Sequence, residues 1–192
     1  MDIFFSYISD ILRNKNNIDI FDIGYADGFV LFKTDELFGE NINSYTAVDL
    51  SKGMIEKATG SSPSGKFFFY LRGQEPNIKY DVVTELGVHI VDLDKEIDYV
   101  LDKLSKDSYY IYSTSTVSSL HTKFKLKNDP KVDFLGDLKM YKDIENIISR
   151  RFYIVKKVRY GLFIPKLWSI PVFGRIFQPV IDRIFEYVVP NL

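Results

Sequence analysis

The sequence contains no cysteine and only two histidines, His89 and His121. The absence of cysteine excludes disulfides, thiolate metal ligands and a cysteine nucleophile. Because zinc sites in proteins are built largely from cysteine and histidine, two histidines also argue against a histidine-rich metal centre. We therefore expect no bound metal. We interpret Asp92 and Asp94 as acids that favour the start of a helix rather than as metal ligands.

The sequence also lacks an apolar run of the length that spans a membrane. Three charged residues, Lys166, Arg175 and Asp182, interrupt the most apolar stretch. The first ten residues contain two acids, no basic leader and no small-residue cleavage site, so they are not typical of a signal peptide. We therefore expect a soluble, cytoplasmic protein.

The net charge of −1 hides an uneven distribution along the 192 residues. Residues 1–120 have a net charge of −8, residues 121–166 have a net charge of +7, and residues 167–192 are neutral. The basic segment either solvates a surface or forms a basic face that contacts an anionic partner, and the sequence leaves both interpretations open. Length and a hydrophobic content of 46% predict one globular domain.

Short apolar segments alternate with helical patterns along most of the chain. The predicted strands cover residues 18–23, 45–48, 66–71, 80–84, 108–113 and 152–159. The predicted helices cover residues 2–13, 28–37, a segment capped by Ser51, 94–104 and 137–150. Connections of this length favour parallel strands covered by helices. The sequence thus predicts an α/β fold, with a doubly wound, mostly parallel sheet of about six or seven strands and helices on both faces.

Two finer predictions concern the third strand and the segment before it. Three consecutive phenylalanines at positions 67–69 predict a strand that is buried on both faces. The composition of residues 59–65, Thr-Gly-Ser-Ser-Pro-Ser-Gly, predicts a loop.

The most informative pattern follows the first two strands. The first strand ends in Asp22-Ile-Gly24-Tyr-Ala26-Asp-Gly28, and the second ends in Asp49. Gly24 allows a sharp turn, Ala26 allows a ligand to approach the backbone, and Gly28 begins the next helix without a side chain in the way. A carboxylate at Asp49 can accept hydrogen bonds from both hydroxyls of a ribose. Because ligands of doubly wound sheets bind beyond the carboxyl ends of the strands, the pattern predicts a nucleoside site.

The spacing of the glycines indicates which nucleoside is bound. Enzymes that bind dinucleotides use Gly-x-Gly-x-x-Gly, so that the start of a helix can hold a pyrophosphate. This turn reads Gly-x-Ala-x-Gly and is accompanied by two acids, Asp22 and Asp27. Because acids repel phosphate, the turn suits a ligand that carries an amine and a sulfonium.

On these residues the sequence resembles the class I S-adenosylmethionine-dependent methyltransferases, in their small-molecule, type 11/12-like branch. The segment DIGYADG is similar to the first motif of that family, Asp-x-Gly-x-Gly-x-Gly, and residues 45–58 are similar to its second block. Residues 80–92 resemble the block at the fourth strand, and residues 109–113 resemble the fifth strand. The resemblance covers roughly residues 18–160, and it implies S-adenosylmethionine as the cofactor.

The resemblance implies a role for each matching residue. The residues that would line the methionine moiety are Asp22, Gly24, Tyr25, Ala26 and Gly28. Asp49 would hold the ribose, with Leu50 and Met54 beside the adenine. Gln74 stands where the family often has an acid that binds the adenine amine. The residues that would face the sulfonium and the acceptor are Glu85, Leu86 and Gly87.

Two departures from the family pattern leave a second function open. Ala26 replaces a glycine and Gln74 replaces an acid. A catalytically degenerate relative that binds the cofactor and acts as an interaction module is therefore the alternative to an active methyltransferase.

Methyl transfer is an in-line displacement at an activated carbon, so the enzyme mainly aligns the reactants and excludes water. An acceptor that must lose a proton needs a base. His89, just beyond the fourth strand, is the first candidate, and packing under the next helix is its alternative role. Glu85 is the second candidate, with a cofactor contact as its alternative. His121 lies in the basic segment, where it would contact solvent or an anionic substrate.

Residues 1–160 are predicted to form the cofactor-binding domain, and residues 161–192 an apolar, amphipathic segment. The sequence leaves three interpretations of this segment open: it packs on the domain itself, it forms a hydrophobic acceptor pocket or a homodimer surface, or it contacts a membrane surface. Together with the basic segment it favours a small anionic or lipid-like acceptor. Methylation of nucleic acid ranks third, because the lysines at 123, 125, 127 and 131 lack interleaved aromatic residues and the chain is net acidic.

Overall fold

The computed structural model describes residues 2–88, 90–114 and 141–157. The helices are α1 (Asp2–Leu12), α2 (Phe29–Phe38), α3 (Lys52–Ser61), α4 (Leu93–Lys103) and α5 (Tyr141–Ser149). The strands are β1 (Ile18–Ile23), β2 (Ile42–Asp49), β3 (Phe67–Leu71), β4 (Tyr80–Leu86) and β5 (Leu104–Ser113). A 3-10 helix, Gly39–Asn41, precedes β2.

The strands form one parallel sheet in the order β3-β2-β1-β4-β5. The chain winds from β1 to the edge at β3, returns to the other side of β1 at β4, and ends at β5. The chain order therefore reverses between β1 and β4, which is the switch point where ligands of such sheets bind. This confirms the predicted doubly wound fold, with five strands in the described residues instead of six or seven.

Helices cover both faces of the sheet. Paired residues of neighbouring parallel strands point to the same face, so Ile20, Tyr45 and Phe67 share one face. They belong to a core to which α1, α2 and α3 contribute Phe4, Ile8, Ile11, Leu12, Leu31 and Ala58. Full burial of a large apolar side chain contributes about 1.5–3 kcal/mol, so this core holds the three helices on the sheet. Phe21 points to the opposite face, where its ring lies 6.2 Å from that of Tyr99 in α4.

The structure corrects the prediction that β3 is buried on both faces. Side chains alternate along a strand, so Phe67 and Phe68 point to opposite faces. Phe67 is buried in the core, whereas Phe68 is 46% exposed. The reason is that β3 is an edge strand, a position that the composition of the strand does not reveal.

The ends of several elements and the last predicted strand also differ from the prediction. Residues 59–61 belong to α3, so the loop before β3 is shorter than expected. The strand predicted at residues 108–113 begins at Leu104, directly after α4. The prediction of a sixth strand at residues 152–159 is wrong for residues 152–157, which form no strand. An extended segment becomes a strand only by pairing, and local periodicity does not supply a partner.

The described residues fall into two compact units. One comprises residues 2–88 and 98–114 and contains the sheet, and the other comprises residues 90–97 and 141–157. The domain boundary predicted at residue 160 and the apolar segment at residues 161–192 lie outside the described residues. Where the chain is described, no helix combines the length and the hydropathy that a membrane span requires.

Candidate functional site

The turn after β1 depends on three residues with positive φ. These angles are +74° at Gly24, +52° at Ala26 and +80° at Gly28. The Gly24 amide donates to the carbonyl of Val48 on β2 at 2.8 Å, and the Gly28 amide donates to the carbonyl of Tyr25 at 3.0 Å. Glycine adopts such angles without strain, whereas alanine pays about 1 kcal/mol. The turn is therefore closely tied to β2, with the strained Ala26 exposed at its tip.

The two glycines also leave room for protein side chains. A Cβ atom on Gly24 would lie 2.5 Å from Cγ2 of Val88, in the segment after β4. A Cβ atom on Gly28 would lie 2.7 Å from the ring of Phe32 on α2. Both positions therefore exclude larger residues by packing as well as by backbone angle, a reason that the sequence pattern did not show.

Asp49, at the end of β2, lies against this turn. Its Oδ2 accepts a hydrogen bond from the Ala26 amide at 3.3 Å, and its Oδ1 accepts one from the Ser51 amide at 2.8 Å. A carboxylate offers about four acceptor positions, so each oxygen can accept from a further donor. The glycine turn and the acid of the second strand, which are 21 positions apart in sequence, therefore form one site.

Exposed apolar side chains continue the site from Asp49 into α3. Ser51 caps this helix, as predicted, by accepting a hydrogen bond from the Met54 amide. Leu50 is 79% exposed and Met54 is 39% exposed. Leu50 follows Asp49 directly and Met54 lies in the first turn of α3, where the two side chains can cover a flat apolar ring.

Asp27 is not an isolated acid. Its Oδ2 lies 3.2 Å from the Nζ of Lys57 on α3, and its Oδ1 accepts from the Phe29 amide. The hydrogen bond from Lys57 holds the pKa of Asp27 below its usual range. The expected repulsion of phosphate by Asp27 is therefore partly neutralised, and Asp22 is the remaining acid of this turn.

Asp22 is a buried carboxyl group at the end of β1, with 4% of its surface exposed. The Thr84 hydroxyl, on the neighbouring strand β4, donates to its Oδ1. Burial raises the pKa of Asp22 to about 7, the hydrogen bond from Thr84 opposes this shift, and the charge of Asp49 adds to it. Asp22 is therefore poised to change its charge near neutral pH.

Tyr25 occupies the space between these acids and the edge of the sheet. Its ring lies 5.1 Å from that of Phe69 on β3. Its hydroxyl is buried and has no hydrogen-bond partner among the described residues. Burial, and then the charges of Asp49 and Asp22, raise the pKa of Tyr25 above its ordinary value. The phenol therefore stays neutral and keeps its proton.

Glu85 is not on the same side of the sheet as Asp22. It pairs in register with Ile23, whereas Asp22 pairs with Thr84, so the two acids point to opposite faces. Glu85 is completely buried, and its Oε2 accepts from the hydroxyl of Tyr110 at 2.5 Å. Because protein surrounds the carboxylate in this arrangement, Glu85 could contact a ligand only if its side chain became exposed.

The other predicted residues are divided between described and undescribed parts of the chain. Leu86 is half-buried against the core, and the amide of Gly87 donates to the carbonyl of Ser113 at 2.9 Å. Gln74 is exposed in the turn after β3. His89 and His121 lie outside the described residues. Among those described, no group of three or more potential ligands is arranged to hold a metal.

A buried ion pair involves the turn after β3, and the sequence did not predict it. The Nζ of Lys103 lies 3.1 Å from Oε1 of Glu75, and the two side chains are 7% and 3% exposed. Burial alone would raise the pKa of Glu75, but hydrogen bonds, first that from Tyr99, hold it below its usual range. Because the partners are 28 positions apart and follow no known pattern, nothing in the sequence indicated the pair.

No family model and no curated protein matches the sequence. Solved structures do match the fold. An S-adenosylmethionine-dependent methyltransferase from Mesorhizobium loti has a TM-score of 0.62 at 14% identity, over 88% of this chain and 91% of that one. A ribosomal protein L11 methylase from Lactobacillus delbrueckii subsp. bulgaricus has a TM-score of 0.58 at 14% identity, over 82% and 72%. The fold is that of the class I methyltransferases.

This finding confirms the fold that the motifs predicted. At 14% identity the likeness establishes the fold alone. A coclaurine N-methyltransferase is matched over 56% of this chain with a TM-score of 0.48 and 14% identity, and this chain spans 34% of its length.

Proposed function

We propose that this chain binds S-adenosylmethionine at the carboxyl ends of β1 and β2 and transfers its methyl group to a small-molecule or lipid-like acceptor. One observation carries the proposal: Asp49 lies against the glycine turn, 3.3 Å from the Ala26 amide. An acid in this place can hold a ribose beside a turn that is open to a ligand. The shared fold supports the proposal.

The residues of the site fit the cofactor. Asp49 has acceptor positions free for two ribose hydroxyls, and Leu50 and Met54 expose apolar surface for the adenine. Ionised Asp22 would attract the positively charged methionine end. When bound, S-adenosylmethionine supplies a methyl group that is activated by its positive sulfur.

The protein would contribute alignment, exclusion of water and, for a protonated acceptor, a base. We propose His89 as this base, because it lies three residues beyond the end of β4 and an imidazole ordinarily titrates near neutral pH. Glu85 would need to leave its buried hydrogen bond with Tyr110 before it could act. A His89→Asn variant should lose about 10²–10⁴-fold in kcat while it binds the cofactor product normally. Unchanged kcat would remove His89 from the mechanism.

Calorimetry with S-adenosylhomocysteine, the demethylated product, tests the cofactor site. We expect wild-type protein to bind with a Kd between about 1 μM and 1 mM. Asp49→Asn should weaken binding at least about tenfold, because charge-assisted hydrogen bonds to the ribose are lost. Asp94→Asn, which removes an equal charge from an exposed position on α4, should bind like wild type. No heat at millimolar ligand would refute the proposal.

A turnover assay with a labelled methyl donor then distinguishes an enzyme from its alternative. Label should pass to a small or lipid-like acceptor, and the basic segment and the apolar segment at 161–192 support this choice. Because the Lactobacillus neighbour is a ribosomal protein methylase, a ribosomal protein is the competing acceptor. Binding without turnover on any acceptor class would favour a degenerate relative that serves as an interaction module, which the strained Ala26 supports.

The location and assembly of the protein belong to the same proposal. We propose that it acts in the cytoplasm. A homodimer or a membrane-surface contact through residues 161–192 stays a prediction.

A further inference from the structure

The outer edge of strand β3 presents backbone groups that lack a partner. Within the residues that the structure describes, β3 pairs only with β2 and forms one edge of the sheet. The Arg72 amide donates to the carbonyl of Asp49 on β2 at 3.0 Å. Because alternate residues of a parallel strand direct their backbone groups to the same side, those of Phe67 and Phe69 point away from β2. The edge therefore offers two amides and two carbonyls to a further strand.

β3 has none of the features that usually keep an edge strand from pairing, namely a charged side chain, a proline or a bulge. Residues 67–71 are Phe-Phe-Phe-Tyr-Leu, and they pair with β2 without a shift in register. The cations at the two ends of the strand are turned toward their own chain. The Nζ of Lys66 donates to the carbonyl of Ile42 at 3.0 Å. The guanidinium of Arg72 lies 4.3 Å from the centre of the Tyr99 ring. This edge is therefore open to a second strand.

An exposed aromatic ring stands in the middle of the same strand. Phe68 is 46% exposed and lies on the face of the sheet opposite to the core that contains Phe67. Covering such a ring is favourable, because large aromatic side chains bury much apolar surface. An occupant of this edge should therefore supply both a strand and an apolar side chain that covers Phe68.

We propose that the occupant is a second copy of this chain, whose β3 pairs antiparallel with this one across a two-fold axis at Phe68. In this register Phe67 of each copy lies opposite Phe69 of the other, and each such pair exchanges two hydrogen bonds. Phe68 lies opposite Phe68 of the partner subunit, in a position without hydrogen bonds where facing side chains are closest. One arrangement thus satisfies the four outward backbone groups of each copy and covers both exposed rings. Pairing closes this edge in both copies, so the assembly ends at a dimer.

The adjacent register that pairs outward groups fits the edge less well. With Phe69 on the axis, Lys66 would lie opposite Arg72 of the partner subunit, and like charges directly opposite each other are destabilising. The carbonyl of Leu71 would also have to bond to the partner, although it already accepts a hydrogen bond within its own chain at 2.9 Å. The charges and the free backbone groups therefore favour the dimer with Phe68 on its axis.

Sedimentation velocity of the full chain without ligand tests the proposal. Because one pair of strands buries less than the roughly 1,200 Å² of a stable interface, we expect a reversible dimer with a Kd of about 1–100 μM. Phe68→Lys and Phe68→Glu should each weaken association at least about tenfold, because two like charges would meet on the axis. An equimolar mixture of the two variants should associate again, because a lysine then lies opposite a glutamate. Leu37→Lys, which changes an equally exposed apolar residue on α2, should dimerise like wild type.

Hydrogen exchange of the wild type tests the same dimer without any substitution. The amides of Phe67 and Phe69 should exchange more slowly at high than at low protein concentration, because the partner strand protects them only in the dimer. The Phe68 amide is directed to β2 in either state and serves as the internal control. Equal exchange of the Phe67 and Phe69 amides at both concentrations would overturn the proposal.

Three results in sedimentation would also overturn it. The first is a wild-type protein that stays monomeric at the highest concentration. The second is a dimer that persists unchanged in both Phe68 variants, because its contact would then lie elsewhere, such as at residues 161–192. The third is a pair of charged variants that stay monomeric when mixed, because residue 68 would then not lie opposite itself.

Discussion

Replacing Asp22 with asparagine measures how much the ionisation of the buried carboxyl group at the end of β1 lowers the free energy of unfolding. In the folded chain its pKa is raised to about 7, chiefly by burial. In an unfolded chain an aspartate titrates near about 3.9. At pH values between about 4 and about 7, the folded protein therefore keeps a proton on Asp22, whereas the unfolded chain has released it.

The sign and size of the effect follow from this difference. The free energy of unfolding of the wild type should fall as pH rises from about 4 to about 7, by at most about 1.4 kcal/mol per pH unit or about 4 kcal/mol in all. An asparagine does not ionise, and its oxygen can still accept the hydrogen bond from Thr84. Asp22→Asn should therefore match the wild type near pH 4 and be about 2–4 kcal/mol more stable at pH 8.

Urea unfolding of both proteins at pH 4, 6 and 8 checks this prediction. The difference between the variant and the wild type cancels the contributions of other titrating groups. Thr84→Val serves as a second variant, because it removes the hydrogen bond that opposes the upward shift of the Asp22 pKa. In this variant the loss of stability with rising pH should therefore continue to a higher pH than in wild type. A stability difference between Asp22→Asn and wild type that is the same at pH 4 and pH 8 would refute the reasoning.

The affinity for the cofactor should change with pH in the direction opposite to that of the stability of the fold. In the proposed complex only the ionised form of Asp22 would attract the ammonium group of S-adenosylhomocysteine, so wild-type affinity should increase as pH rises through about 7. Asp22→Asn should bind more weakly than wild type at pH 8 although it is the more stable protein. Calorimetry at pH 6 and pH 8 measures this, and equal affinity of the two proteins at pH 8 would exclude a contact with the ammonium.

Three further predictions can be tested by urea unfolding. Gly28→Ala should lose about 2 kcal/mol or more, because φ is +80° and an aromatic ring fills the space, whereas Gly60→Ala, in an open position on α3, should gain about 0.5–1 kcal/mol. Ala26→Gly should gain about 1 kcal/mol by removing the strain of a positive φ, and should still bind S-adenosylhomocysteine. Lys103→Met should cost about 3–5 kcal/mol because it leaves Glu75 buried without its cation, and adding Glu75→Gln should recover most of the loss.

Each of these predictions has a result that contradicts it. Equal effects of the two glycine substitutions would show that the Gly28 turn is not strained by a side chain. A less stable Ala26→Gly variant would mean that chain entropy outweighs the relief of strain. If the double variant were as unstable as Lys103→Met, the lost stability would come from packing and not from an unpaired charge.

Much of the fold could be predicted from the sequence because its signals are local. Apolar side chains at helical spacing in α1 and α4 reflect one buried face, and the β1 and β4 segments are apolar because both of their faces are covered. Ser51 was recognised as a cap because capping depends on neighbouring residues alone. The glycine turn and Asp49 were both found because each ends a strand.

Other features could not be predicted because they depend on neighbours distant in sequence. The prediction of a sixth strand is wrong at residues 152–157 because a strand needs a partner to pair with. Phe68 is exposed because β3 is an edge strand. The family resemblance places Glu85 beside the ligand because it stands at the end of β4. Its register with Ile23 turns it to the other face of the sheet.

The sequence by itself determined the order of helices and strands, the parallel sheet and the two motifs of the proposed nucleoside site, because these follow from periodicity and backbone requirements within short segments. The tertiary structure alone decided that Asp49 contacts the Ala26 amide, that Asp22 is buried deeply enough to titrate near neutral pH, and that Glu75 is paired with Lys103. The physical reason is that contacts across the sheet, and the burial that shifts a pKa, exist only when segments far apart in the chain are packed together.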